Sequence, residues 1–341
     1  MTTDSLTFAA VGAAHPHAFN QIGILLGAGA RCAGFYDDDP AVTAAVIARY
    51  PGIDAAPRLD RLLDDPQIDL IVNTVRHDRR AALGIEAMRR GKDTLCAKPG
   101  FTTPAQLDEA RRVQAETGRR YWVYFSERLA SRATLKALEL VRAGRIGRVV
   151  QTLGFGPHRL FGGNQRPDWW FDSAQHGGIL NDLASHQIDQ FLVFTGSQRA
   201  EIASAQIGTA RFREYPGFED FGDLVLRSDS ATGYIRVDWL TPDGLPTWGD
   251  VRLMLIGTEG SIEARKNIDL DGRAGTDHLL VVDRHGVERV LCAEVDLPFA
   301  RQLIADVRDR TDTALSQAHC FTVCDLALRA QASAVRLPFA G

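Results

Sequence analysis

The 341-residue sequence predicts an α/β chain in two parts: a parallel sheet wrapped by helices, then an α+β region carrying a large, mostly antiparallel open sheet. Two observations predict it. Up to about residue 125, short apolar runs alternate with helix-length amphipathic segments, the pattern of strand-helix-strand units. After Gly144 and Gly147 the pattern changes to many strand-like runs joined by Gly, Asp and Ser turns. The length agrees with about two domains, and we place them at 1–125 and 126–341.

In order, the first region reads as strands at Leu6 to Val11, Arg31 to Tyr36, Leu70 to Val75, Thr94 to Ala97 and Tyr121 to Phe125. Helices at His17 to Leu26, Pro40 to Arg49, Arg58 to Leu63, Arg79 to Arg90 and Pro104 to Thr117 alternate with them. Two helix starts are explicit: Asp38-Asp39 before Pro40, and Thr102-Thr103 before Pro104, each an oxygen cap followed by a first-turn proline. This is a Rossmann-type order. Residues 126 to 145 read as a helix with Leu135, Leu138 and Val141 on one side. Eight strand-like runs follow between Val149 and Leu291, with hairpin turns such as Arg284-His285-Gly286. Helical patterns at Phe299 to Arg310 and Ala318 to Ala334 close the chain.

Composition narrows the function. The chain has 39 basic and 43 acidic residues, a formal charge of -4, and no basic run interleaved with aromatics, so no nucleic-acid partner is expected. The opening apolar run follows Asp4 and lacks a basic leader, and no run approaches the roughly 20 residues of a membrane helix, so no membrane partner is expected either. The five cysteines are odd in number and form no Cys-x2-Cys pair, against a disulfide framework or a structural zinc. Free thiols in a cytoplasmic protein, without a bound metal, are the expectation.

Three stretches carry chemistry. The first turn reads Gly12-Ala13-Ala14-His15-Pro16-His17, with Ala14 and His17 where a Gly-x-Gly-x-x-Gly fingerprint has its second and third glycines. His15 and His17 flank the place where a pyrophosphate would meet the helix N-terminus. Asp37 ends the second strand where an acid would bind ribose hydroxyls, and three consecutive acids there would repel a 2′-phosphate, so NAD is favoured over NADP. Next comes Cys96-Ala97-Lys98-Pro99-Gly100, in which Lys98, in a chain that otherwise uses mostly arginine, offers a compact ammonium at a strand end. The third, His176-Gly177-Gly178 leading into the helix from Ile179, places Asp182, His186 and Asp189 within roughly 60° of one another, opposite Leu180, Leu183, Ala184, Phe191 and Phe194. The competing reading of this helix is a polar face in solvent.

These stretches, with Gly91-Lys92, Gly118, Phe125 to Arg128, Gly144-Arg145-Ile146-Gly147 and Val335-Arg336-Leu337, resemble the Gfo/Idh/MocA family of sugar and polyol dehydrogenases. The resemblance covers nearly the whole chain and has three departures: the altered glycine turn, Ala97 where the family has Glu before Lys-Pro, and Val75, Arg76, His77 and Arg80 where it has Thr-Pro-Asn and His. It implies an NAD-dependent oxidoreductase that interconverts a secondary hydroxyl of a sugar, polyol or related ring with its ketone. His186 would be the general base, Asp182 would bind and orient the hydroxyl, and Lys98 would stabilise the alkoxide. Gly12, Ala14, His15, His17, Asp37, Val75, His77 and Lys98 would line the cofactor, and Trp169 and His176 would join Asp182 on the substrate. Two other readings stand beside it: a glycosidase with retained NAD that oxidises transiently, and a non-catalytic NAD-binding regulator. An apolar face left on the second sheet predicts a homodimer or homotetramer.

Overall fold

The computed structural model describes residues 5–161 and 166–339. The chain begins β1 (Thr7–Val11), α1 (His17–Gly27), β2 (Arg31–Tyr36), α2 (Pro40–Arg49), α3 (Leu59–Leu63), β3 (Leu70–Asn73), α4 (His77–Arg89), β4 (Asp93–Ala97), α5 (Pro104–Thr117) and β5 (Tyr121–Tyr124). It continues through α6 (Ser126–Leu129), α7 (Arg132–Arg142), β6 (Val149–Pro157), α8 (Ser173–His176), a π-helical stretch (Leu180–Ala184) and α9 (Ser185–Thr195). Next come β7 (Glu201–Gly208), β8 (Phe221–Arg227), β9 (Thr232–Asp238), β10 (Arg252–Gly257), β11 (Gly260–Arg265), β12 (His278–Asp283) and β13 (Gly286–Val290). Helices α10 (Phe299–Asp309) and α11 (Gln317–Ser333) and strand β14 (Val335–Leu337) complete it. Among the described residues no helix is long and apolar enough to cross a membrane.

Two compact units result. One runs to Tyr124 and takes in Pro298–Phe321; the other holds Phe125–Leu297 and the chain from Thr322. The chain therefore returns late to its first unit, which a single division after residue 125 does not express.

In the first unit the five strands are all parallel, in the order β2-β1-β3-β4-β5. Every residue of β1, β3, β4 and β5 is buried, the physical reason these strands read as unbroken apolar runs. Helix starts follow the caps seen in the sequence. Asp39 accepts the Ala41 N–H ahead of Pro40, and Thr103 with Gln106 forms a reciprocal capping box ahead of α5. Strand β3 stops at Asn73, short of Val75, because two side chains turn inward: Asn73 Nδ2 donates to the Arg80 carbonyl at 2.8 Å and the Thr74 hydroxyl to the Gly12 carbonyl. Strand β5 is an edge strand, yet its backbone is not bare. The Gln317 amide pairs with Tyr121 as a neighbouring strand would, accepting its N–H at 2.7 Å and donating to its carbonyl at 2.8 Å, while Trp122 Nε1 donates to the Leu315 carbonyl.

The second unit carries a nine-stranded sheet, β13-β12-β11-β10-β6-β9-β8-β7-β14, antiparallel except for the β6/β9 and β14/β7 pairs. Burial alternates along β8, β9 and β10, so one face is core. Ala137, Leu138, Phe194, Leu255, Ile262 and Leu279 form a cluster on that side. The helix expected over 126 to 145 is two helices, broken at Ser131, whose hydroxyl accepts the Thr134 N–H and starts α7 afresh. Strand β14, with three residues, is too short to show a period and was not anticipated as a strand.

Candidate active site

The first unit supplies a nucleotide-shaped end. Gly12 leaves β1 at φ +81°, and a Cβ there would lie 2.6 Å from Val75 backbone and side-chain atoms, so glycine is required for closeness as well as for conformation. Asp37 faces this turn: one carboxylate oxygen accepts the Ala13 N–H at 3.0 Å and the other the Asp39 N–H at 2.9 Å. Asp38 accepts the Tyr36 hydroxyl, and Asp39 caps α2. A cavity of about 490 Å³ opens here, lined by Gly12, Ala14, Asp37 and Val75 among others. His15 and His17 stand at the head of α1 with ring centroids 4.0 Å apart, and His15 Nδ1 accepts the His17 N–H at 3.2 Å. His77 is buried as the first residue of α4.

Lys98 lies just past β4, buried, with a cis bond to Pro99. What holds this turn is Arg80, itself wholly buried. Its guanidinium donates to the carbonyls of Val75 at 2.8 Å, Ala97 at 3.2 Å, Lys98 at 2.5 Å and Pro99 at 3.2 Å. One planar fork thus ties the end of β3 to the lysine turn, a task that needs several donors on one head group. Burial pushes the neighbouring Cys96 thiol up to about 11, so the sulfur beside Lys98 stays protonated near neutral pH.

In the second unit, Gly177 ends α8 at φ +91°, and Gly178 follows at φ +84° with no room for a Cβ, which would meet the Gln331 amide at 2.1 Å. Gln331 Oε1 accepts the Leu180 N–H at 2.9 Å, and the Glu219 carboxylate accepts the Ile179 N–H at 3.0 Å. These acceptors satisfy amides that open the helix without a residue of its own to cap it. The first turns are π-helical, Leu180–Ala184, a widened form frequent at functional sites. Asp182 and His186 are each at most 1% exposed, so the reading of a solvated polar face does not hold. His176 Nε2 lies 3.3 Å from Asp182 Oδ2, and the His176 ring packs on Trp170 at 5.0 Å between centroids. Asp189, grouped with these residues by helical spacing, is engaged elsewhere: Arg128 clamps it in a bidentate pair at 2.6 and 2.7 Å. It serves packing, anchored by that bidentate arginine.

A buried acid and histidine on one helix, a nucleotide-shaped turn and a buried strand-end lysine match a known sequence pattern. The description "Oxidoreductase family, NAD-binding Rossmann fold" fits residues 8–125, and "GFO/IDH/MocA C-terminal domain" fits residues 134–263. The chain belongs to the Gfo/Idh/MocA family.

That family is one of oxidoreductases with an NAD-binding Rossmann fold. A solved structure of a proposed oxidoreductase from Erwinia carotovora atroseptica SCRI1043 is 43% identical and superposes with a TM-score of 0.95, covering 98% of this chain and 100% of that one. An uncharacterized oxidoreductase of Schizosaccharomyces pombe is 29% identical over 220 residues, 63% of this chain and 57% of its own length. An inositol 2-dehydrogenase of Saccharopolyspora erythraea is 27% identical over 69% of this chain and 65% of its own. This chain thus spans less than two thirds of the curated relatives it matches.

Of the residues expected at the site in this Gfo/Idh/MocA chain, Gly12, Ala14, Asp37 and Val75 line one cavity, and His176 lies against Asp182 with Trp170 packed on its ring. Trp169, expected on the substrate, is half-buried against Trp170, which is the indole that reaches His176. Gly162 to Gln165, just ahead of it in the chain, lie outside the described residues. Arg80, Arg166 and Trp239 went unassigned in the sequence. Arg80 was visible only as a departure from the family pattern, and the other two carried no local signal.

Proposed function

We propose that the chain oxidises a secondary hydroxyl of a sugar, polyol or related ring to its ketone, reversibly, with NAD as the preferred cofactor. The observation that carries this reading is the buried Asp182 and His176 pair on the π-helical turn that precedes buried His186. A neutral imidazole suits removal of a hydroxyl proton at neutral pH, and His186 takes that role. Asp182 orients the hydroxyl, and His176 holds Asp182 in place. The Lys98 ammonium stabilises developing alkoxide charge. NAD, when bound, supplies the hydride acceptor. Gly12, Ala14 and Asp37 would hold it: the turn admits backbone to the cavity, and the Asp37 carboxylate disfavours a 2′-phosphate.

A relative named inositol 2-dehydrogenase supports the cyclic polyol class. The second sheet leaves Leu153, Tyr234 and Met254, neighbours in register, half-exposed on the face away from the core, which supports a homodimer or homotetramer built on it. The deciding experiment incubates the protein with NAD and a panel of sugars, polyols and aryl glycosides, reading NADH and released aglycone together. Stoichiometric NADH without aglycone is expected, and His186→Ala should lose on the order of 10² to 10⁴ in rate. Aglycone release without NADH, or full turnover by His186→Ala, overturns the reading.

A further inference from the structure

The face of the second unit next to Asp182 carries two donor groups, a guanidinium and an indole, whose hydrogen-bonding capacity is not filled among the described residues. The Arg166 guanidinium lies over the Trp170 ring, 4.2 Å from its centroid, and 5.5 Å from that of Trp239. Its Nε donates to the Leu160 carbonyl at 2.8 Å, which fixes the direction of the head group. Among the described residues no carboxylate forms an ion pair with it, and its undescribed neighbours, Gly162-Gly163-Asn164-Gln165, carry no charge. Burial pushes its pKa below the usual range, and the charge of Asp182 opposes that shift without cancelling it. Among the described residues the cation is therefore under-compensated.

The second donor is independent of the first. Trp239 is 2% exposed, and its indole N–H has no acceptor among the described residues. A buried donor without a partner costs about 1–3 kcal/mol, so its retention asks for a reason. Stacking of an arginine between two indoles would account for the ring contacts alone. It leaves the indole N–H unexplained. Trp170, under the guanidinium, touches the His176 ring, and His176 lies against Asp182. The two donors thus adjoin the group that handles the hydroxyl.

We propose that this site selects substrates bearing an anionic oxygen group, a carboxylate or a phosphate, which Arg166 and the Trp239 N–H receive while the indoles flank the ring. A planar guanidinium offers two parallel donors to such a group, and the anion completes the charge balance that Asp182 leaves short. The inference rests on the reading of the second unit as the substrate site and narrows it from sugars and polyols to their acids or phosphates.

The test is equilibrium binding by calorimetry, with the NADH-loaded protein, of D-glucose, D-glucuronate and D-glucose 6-phosphate. At least one of the two anionic sugars should bind tenfold or more tighter than D-glucose, and which of them does so identifies the group. In Arg166→Met, which keeps an apolar stem over the indoles, that preference should fall below about twofold, the margin of one weak contact. Trp239→Phe keeps an aromatic ring but removes the N–H together with part of the indole, and should weaken the anion about three- to tenfold while leaving D-glucose binding within about twofold. Circular dichroism and melting of both variants establish that they are folded. No preference for either anion at millimolar concentration, or a preference that survives Arg166→Met, overturns the proposal. NADH formation with neutral sugars in the absence of any anion preference would leave the oxidoreductase reading intact and sink only this one. Anion preference without hydride transfer would do the reverse.

Discussion

Arg80→Met should separate the role of one buried arginine in stability from its role in placing Lys98. The wild-type guanidinium serves four carbonyls, those of Val75, Ala97, Lys98 and Pro99, and is 0% exposed. Hydrogen bonds from a charged donor contribute about 1.5–3 kcal/mol each, but they do not sum, since removing the cation also removes its desolvation cost. What remains is a set of buried carbonyls short of donors, a loss we place at about 3–5 kcal/mol by comparison with broken buried charge networks. For a unit of this size each kcal/mol moves the melting temperature about 2–4 °C, so a drop of roughly 6–20 °C is expected by calorimetry. Arg80→Lys keeps the charge on a single point donor, which cannot span four carbonyls, and should recover less than half of that loss. At a temperature where the variant is fully folded, turnover should still fall about tenfold or more, the penalty of a misplaced polar group. A melting temperature within about 2 °C of wild type would refute the stability argument. Unchanged turnover in folded Arg80→Met would refute the positioning argument, whatever the stability.

Gly12→Ala forces a Cβ to 2.6 Å from Val75 at φ +81°, so NAD affinity measured by calorimetry should fall at least tenfold, and wild-type affinity would show that the turn relaxes freely. Asp37→Asn should narrow the preference for NAD over NADP in binding titrations, because it removes the charge facing the Gly12 turn. Arg128→Met removes the bidentate arginine from the 0%-exposed Asp189 carboxylate and should cost about 3–5 kcal/mol in denaturant unfolding. The thiols give a pH prediction whose sign follows from burial. Cys96 ionises near 9.0 when unfolded and about 11 when folded, so its contribution, on the order of 2 kcal/mol, is whole below pH 9 and is lost as pH rises towards 11. Native protein at pH 8 should accordingly react slowly with a thiol reagent and show five thiols only after unfolding.

The parallel sheet was legible because strands buried on both faces must be continuous apolar runs, and because the starts of α2 and α5 are written in local caps, Asp39-Pro40 and Thr103-Pro104. The second sheet was legible for the complementary reason, alternation along half-buried strands. Lys98, Asp182 and His186 stood out by residue type and spacing. The remaining contacts depend on segments distant in sequence. Arg80 looked like a mere departure from the family pattern, since its task exists only once residues 97–99 fold against it. Asp189 shared a helical face with Asp182 and His186 but not their surroundings, which Arg128 decides from 61 residues away. The π-helical turn has no signature in composition, and Trp239 meets Arg166 only through the packing of β9's end against the loop.

The pairing of Gln317 with Tyr121 sets a schedule for biosynthesis. The two residues are 196 positions apart, so the last strand of the first sheet leaves the ribosome long before the amide that finishes its edge. At about 5–20 residues per second that interval is roughly 10–40 s. During it the growing chain presents Tyr121–Tyr124 as an aromatic-rich strand with one edge unpaired, the kind of edge other chains add to. A fragment stopped at residue 125 would remain in that condition permanently, and supplying residues 298–321 as a separate peptide should rescue its solubility.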